Sequence, residues 1–231
     1  MCFELRVVVI SDIHGDVENL LSFLDKMKEL VPDVVVCPGD FTDVNVPKGF
    51  SQEEIAKLII TELKTVKVPI MTVPGNVDTK GVIDVLEKEN VSIHGKGKIL
   101  GEFGFYGYGG AKTPFETSIE PSEEELRLGL TGAWKDVTPT KYKIQVTHTP
   151  PEGTRLDMIQ SGIHVGSGAV RSFIELNNPL VAISAHIHEA RSIDKLNNTF
   201  LVNSGKFPEG YFGLIDIKNG DVDAKILNML E

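Results

Sequence analysis

The sequence predicts an α/β fold built from parallel β-α-β units, and three observations carry that expectation. Through the first third of the 231-residue chain, β-branched apolar runs alternate with segments whose apolar residues recur at helical spacing. Such alternation implies parallel strands covered on both faces. A looser version of the same rhythm returns after a glycine-rich stretch that begins near residue 90. Polar residues also collect where the apolar runs stop, the place where open α/β sheets bind ligands.

Taken in order, ELRVVVISD reads as the first strand. In DVENLLSFLDKMKEL, residues Val17, Leu20, Leu21, Leu24, Met27 and Leu30 share the spacing of one helix face. PDVVVCPGD is a second buried strand. SQEEIAKLIITELKTV opens on Ser51 and Glu54, the two halves of a capping box, and continues as a helix. VPIMTVPGN is a third strand and TKGVIDVLEKEN a third helix.

Beyond residue 90, VSIHGKGKILGEFGFYGYGGAKTP has short alternating runs between glycines, the pattern of strands joined by tight turns. PSEEELRLGL starts a helix, TKYKIQVTHTPP is a strand ending in one histidine, GSGAVRSFIELNN a helix, and PLVAISAHIHEA a strand ending in two. NTFLVNSG, GYFGLIDI and DVDAKIL finish the chain as short strands. No repeat, low-complexity tract or linker interrupts the pattern, so residues 1–231 read as one domain of two related halves.

Composition narrows the classes of function. A net charge of −10 argues against stable nucleic-acid binding, which usually needs a basic face. No segment approaches the ~18 consecutive apolar residues of a membrane span. The N-terminus has no basic region ahead of its apolar run, against a signal peptide. Two cysteines, Cys2 and Cys37, offer neither a disulfide framework nor a CxxC pair, which points to a reduced, cytoplasmic setting. Cys37 reads as a small buried hydrophobe. A homo-oligomer is compatible with all of this.

The strand ends carry the chemistry. The first ends in SDIHGD, placing Asp12 and His14 two apart; the second in PGD, giving Asp40; the third in PGNVD, giving Asn76 and Asp78. Later strands end at His148 and at the pair His186 and His188, which strand alternation would aim at one point. Singly, each has an ordinary reading as a cap, a turn residue or a hydrogen-bonded histidine. Together they deliver Asp12, His14, Asp40, Asn76, His148, His186 and His188 to one rim. Mixed oxygen and nitrogen donors without thiolates suit Mn²⁺, Fe, Zn²⁺, Co²⁺ or Ni²⁺. Seven ligands exceed what one catalytic ion with an open position takes. They suit two ions ~3.5–4 Å apart that share a carboxylate. His94 and His164 read as loop residues.

The ordered set SDIHG, PGD, PGNVD, THTP and AHIHE resembles the calcineurin-like metallophosphoesterase superfamily, whose pattern runs D-x-H, G-D, G-N-H-D/E, a lone H and G-H-x-H. The match spans residues 11 to 188. The resemblance implies a four-layer α/β/β/α sandwich of two mixed sheets flanked by helices. It also implies a dinuclear centre, with manganese the favoured metal. It assigns Asp12, His14 and His188 to one ion, Asn76, His148 and His186 to the other, and Asp40 to both. The implied reaction is in-line attack on phosphorus by a hydroxide bridging the ions, on a small-molecule or nucleotide phosphoester. Asn76 and His148 would help place the phosphoryl group.

Two positions depart from the pattern. Ala185 stands for the glycine before H-x-H, and Val77 for the histidine of G-N-H-D. The resemblance gives that histidine the role of donating a proton to the leaving group or steadying the phosphoryl oxygen; a valine can do neither, which leans the reading towards phosphodiesters and other activated esters. A monoesterase, or an interaction module that keeps its metals without catalysis, is the alternative. Asp78 reads either as a group orienting a ligand such as His14 or as a helix N-cap.

Weaker signals surround this set. YGYGGAKT fails the Walker pattern because Ala111 precedes Lys112, and reads first as a glycine-rich turn after a strand; the alternative is a loop near the site where Tyr106 or Tyr108 stacks on a base. The long loop HTPPEGTRLDMIQSGIHVGSG reads as a lid, with Arg155, His164 and Arg171 as substrate contacts or replacement acids. Asn203 and Gly205 in LVNSG stand where relatives carry an N-P-G loop, closing one side of the site.

Overall fold

Residues 4–230 are described by the computed structural model; Cys2 lies outside them. In chain order the strands are β1 (Glu4–Val9), β2 (Val34–Cys37), β3 (Ile70–Thr72), β4 (Lys96–Leu100), β5 (Phe103–Tyr108), β6 (Tyr142–Thr147), β7 (Val181–Ser184), β8 (Ser192–Leu196), β9 (Thr199–Asn203), β10 (Tyr211–Lys218) and β11 (Asp221–Asn228). The α-helices are α1 (Val17–Glu29), α2 (Gln52–Leu63), α3 (Lys80–Lys88), α4 (Glu123–Asp136) and α5 (Gly168–Asn177).

Two mixed sheets stack face to face. One runs β11-β10-β1-β2-β3 and the other β4-β5-β6-β7-β9-β8. In the first, β1, β2 and β3 are parallel, with Val7 beside Val34 and Val9 beside Val36. In the second, β5, β6, β7 and β9 are parallel and the outer strands β4 and β8 antiparallel. Strand alternation then sorts the side chains. Val8 and Ile10 face the helices, packing with Leu20, Phe23, Ile55 and Ile59. Val7 and Val9 face the other sheet, meeting Phe105, Ile144, Val146 and Ile183 between the layers. On the far side Leu126, Leu130, Val170 and Ile174 of α4 and α5 cover Ala182 and Leu201. The result is the four-layer sandwich of two helix-flanked sheets.

One expectation is refined. Each sheet has helices on one face only, and the second face is covered by the other sheet. The reason is topological. Right-handed crossovers that step in one direction, as from β1 to β2 to β3, leave their helices on the same side. The Ser51–Glu54 capping box forms as its spacing requires, and Ser122 and Glu125 form a second at the start of α4. No described helix is long and apolar enough to cross a membrane. Cys37 is buried in the first core.

Candidate metal centre

The segments that follow β1, β2, β3, β6 and β7 meet at one rim shared by both sheets. The loops after β1 and β2 run side by side: Asp12 N donates to Gly39 O at 3.1 Å, His14 N to Asp40 O at 2.9 Å and Gly15 N to Phe41 O at 2.8 Å. Four rim residues hold left-handed backbone, Asp12 (φ 53°), His14 (49°), Asp40 (51°) and His186 (72°). Such conformations cost free energy in non-glycine residues and cluster at functional sites. Here they turn the chain sharply enough to bring side chains from successive residues to one point. The glycines of PGD and PGN permit the close approach. A Cβ on Gly39 would lie 2.6 Å from both His148 Nδ1 and Gly75 N, and one on Gly75 would lie 1.9 Å from Asp40 Oδ1.

The histidine pair is placed differently from the expectation. Strand β7 stops at Ser184, and His186 and His188 lie beyond it, His188 opening a 3-10 turn over His188–Ala190. A turn, rather than strand alternation, aims the two rings. His186 N donates to Asp12 Oδ1 at 3.2 Å, and its ring lies 5.1 Å from that of His148. His188 lies across from His14, Nε2 to Nε2 3.3 Å. Asn203 Nδ2 donates to Ile187 O at 2.9 Å, and Ser11 Oγ to Gly205 O at 2.8 Å. Asn203 thus braces this turn and Gly205 is held by the loop after β1, and neither lines the cavity.

Two sets of donor atoms converge here: Asp12, His14 and His188, and Asp12, Asp40 and His148. Asp40 Oδ2 lies 3.4 Å from His148 Nε2 and 3.9 Å from His14 Nε2, between the two sides. A chain of hydrogen bonds fixes which atoms face inward. The Glu120 carboxylate only accepts, so Thr117 Oγ1 spends its proton on Glu120 Oε1 at 2.7 Å. Thr117 Oγ1 therefore accepts from Asn76 Nδ2 at 3.2 Å, which turns Asn76 Oδ1 towards His148 Nε2 at 2.9 Å. The other ring nitrogen, His148 Nδ1, must donate to Pro38 O at 2.8 Å. Three acceptors, Asn76 Oδ1, Asp40 Oδ2 and His148 Nε2, consequently face one another.

Such an arrangement needs a proton or a cation at its centre. Asp12 Oδ2 is likewise buried without a hydrogen-bond partner. The donor set therefore fits divalent metal ions on its own geometry. With no metal the protonation states compensate. Burial pulls His148 down, but the Asp40 carboxylate outweighs it and holds the ring charged, while His148 in turn keeps Asp40 ionised against its burial. Burial and the charge on His148 push His186 down to about 4, which leaves its ring a neutral donor.

Asp78 orients the loops of other candidate ligands rather than His14, and it is not the N-cap. It is fully buried, does not touch His14, and the N-cap of α3 is Thr79. Its carboxylate accepts from Gly75 N at 2.8 Å, Thr42 N at 3.0 Å, Phe41 N at 3.3 Å and Thr42 Oγ1 at 2.9 Å. Asp78 thus ties the loop after Asp40 to the loop carrying Asn76, a positioning role rather than a catalytic one. The acid beside His14 is Asp43, with Oδ2 3.5 Å from Nδ1. Asp78→Ala leaves three buried N–H groups unpaired at ~1–3 kcal/mol each, so about 3 kcal/mol or more of stability is lost. Urea unfolding measures it, and Asp78→Asn, which keeps one acceptor oxygen, loses less.

Other expected contacts are also relocated. Tyr106 is buried under α4, its hydroxyl donating to Gln145 Oε1 at 3.0 Å. Tyr108 packs on His94, ring centres 4.2 Å apart, so neither tyrosine faces the rim. Arg171 pairs with Glu175 and the carbonyl of Glu152. Arg155 is tied through its backbone to Asp194 and Ser192, and His164 Nδ1 meets Asp157 Oδ1 at 2.7 Å. The cavity over the centre, about 490 Å³, is lined instead by Lys112, Phe115 and Thr117 from one loop and by Ile159 and Val165 from the expected lid. Val77 lines it too. The only sequence signal for the first loop is its run of threonine and glutamate, AKTPFETSIE, which reads equally as an ordinary turn.

An α/β/β/α sandwich with an Asp/His/Asn cluster at the shared rim defines a class of metal-dependent phosphoesterases. The chain belongs to the calcineurin-like phosphoesterase family, whose sequence pattern it matches over residues 5–190. It is 38% identical over 213 residues to uncharacterized protein MJ1162 of Methanocaldococcus jannaschii, covering 90% of each chain. Its fold is similar to that of TT1561 of Thermus thermophilus (TM-score 0.71, 17% identity, 96% of this chain and 99% of that one). It is also similar to a dimetal phosphatase from Danio rerio (TM-score 0.62, 12% identity, 97% and 98%).

Proposed function

We propose that this protein is a two-metal phosphoesterase that prefers phosphodiesters and other activated esters to alkyl phosphomonoesters. The observation that carries the preference is Val77, which lines the cavity beside Asp40 where the family pattern has a histidine. In this reading Asp12, His14 and His188 would hold one ion and Asn76, His148 and His186 the other, with Asp40 available to both. Bound there, the ions would activate the nucleophile and neutralise charge on the phosphoryl oxygens.

The chain's own residues do the rest. Pro38 O holds the His148 ring so that Nε2 faces the centre, and Thr117 does the same for Asn76 Oδ1. Asp40 keeps its carboxylate aimed inward through the Val77 N–H, which donates to Oδ1 at 3.1 Å. Lys112 at the mouth favours an anionic substrate. The Val77 side chain has no acidic proton to give, so the leaving group departs as a stable anion or takes a proton from solvent. That requirement selects esters of acidic alcohols and phenols.

The test is turnover of bis(p-nitrophenyl) phosphate, p-nitrophenyl phosphate and an alkyl phosphomonoester with Mn²⁺ and with chelator. The expected result is metal-dependent hydrolysis that favours the diester. Faster turnover of the alkyl monoester than of the diester would overturn the preference. Absence of any turnover in protein that still binds two metals per chain would favour an interaction module.

A further inference from the structure

The cavity over the metal centre is larger and more apolar than a phosphoryl group requires. Its volume of about 490 Å³ lies within the ~300–1,000 Å³ of sites that enclose whole small molecules. Beside the polar floor of His14, Asp40 and Asn76 rises a wall of Val77, Phe115, Ile159, Val165 and Ile187. Phe115 is 82% exposed, and Val165 is also exposed. A large exposed aromatic beside a polar site is the informative kind of exception, because water is a poor neighbour for it.

The loop that carries Phe115 is built to hold it there. Glu120 Oε1 accepts from Thr113 Oγ1 at 2.6 Å, Thr117 N at 2.6 Å and Thr117 Oγ1 at 2.7 Å, clamping both sides of the tip. Phe115 N donates to Thr113 Oγ1 at 3.1 Å. Ala111 N bonds to Ile119 O, and Ile119 N to Asn76 O, tying the base of the loop to the loop of the metal centre. The same loop brings Lys112 to the cavity. One segment therefore presents a cation for the phosphoryl anion and an aromatic for whatever that anion is esterified to.

We propose that the substrate is a small phosphoester whose organic group is apolar, an aryl or acyl-chain body rather than a sugar or a polyol, and that Phe115 sets this preference. The proposal rests on the phosphoesterase reading for the position of the phosphoryl group. The occupant is a small molecule because the apolar wall is continuous with the polar floor of one cavity, so that one ligand spans both.

Binding of methylphosphonate and phenylphosphonate, neither of which is hydrolysed, tests it by calorimetry on the Mn²⁺-loaded full-length protein. Both share the anion and differ in the apolar group. Phenylphosphonate is expected to bind at least about tenfold more tightly, and Phe115→Ser to shrink that ratio below about threefold, tenfold being 1.4 kcal/mol. Equal affinities in the wild type would overturn the proposal. So would a ratio that Phe115→Ser leaves unchanged, or a change of oligomeric state in that variant without a change in the ratio, which would make the wall a protein interface. Discrimination between the phosphonates in a protein that hydrolyses neither nitrophenyl ester would retain the apolar pocket and discard the esterase.

Discussion

Asp40→Asn is expected to remove both metal binding and turnover while leaving the protein folded. Asp40 sits between the two sides of the centre, Oδ2 3.4 Å from His148 Nε2 and 3.9 Å from His14 Nε2. Asparagine is close to isosteric, tolerates the left-handed backbone found here at φ 51°, and can still accept the Val77 N–H through its amide oxygen. What disappears is a buried negative charge that every cation at this centre would share. Loss of several kcal/mol of that attraction corresponds to about 10³-fold or more in rate, since each 1.36 kcal/mol is tenfold. Metal content by mass spectrometry and turnover of the aryl diester read the two effects, and a thermal melt confirms the fold. Wild-type turnover in this variant under chelator would exclude the two-metal reading.

Val77→His is expected to act in the opposite direction and on one class of substrate only. Val77 is half-buried at the edge of the cavity, beside Asp40 and Asn76. An imidazole there supplies the proton donor that the present side chain lacks. General-acid catalysis is worth ~10²–10⁴ when well placed, and a donor grafted without further adjustment should reach the lower end, about 10²-fold, on alkyl esters. Aryl esters such as the p-nitrophenyl diester leave without a proton and should change by less than about threefold, because little proton transfer accompanies their transition state. The measurement is kcat/KM for a matched alkyl and aryl pair in wild type and variant. An equal gain on both would mean that the new ring binds substrate rather than donating a proton, and would remove the physical basis for the diester preference.

How far this protein could be read from its residues depended on the range of the interactions involved. Alternating β-branched and amphipathic runs reflect neighbours within a few residues, and so the order of strands and helices, the capping box at Ser51 and Glu54, and the collection of Asp12, His14, Asp40, Asn76, His148, His186 and His188 at strand ends were all legible. The pairing of the two sheets, with helices on only one face of each, depends on which strands become neighbours across the fold, and local pattern is silent on that. The same limit explains Asp78 and Asp43. Both stand within a few residues of a candidate ligand, yet two of the three backbone donors that claim Asp78 come from a segment more than thirty residues away, and it is Asp43 that approaches His14.

The histidine pair shows the division most clearly. That His186 and His188 reach one rim was evident from the sequence, and both line the same cavity there, but the sequence did not show the device that places them. Strand β7 ends two residues early, and a left-handed turn at His186, braced by Asn203 from a neighbouring strand, aims the rings. The exposed aromatic loop is a further case, since a phenylalanine between threonines carries no signature of its surroundings until Glu120 folds back to clamp the turn. By itself the sequence determined the elements and the polar residues that gather at the rim, because propensity, periodicity and side-chain chemistry are properties of short segments. Only the tertiary structure decided which atoms face one another and what walls surround them, because those contacts join residues far apart along the chain.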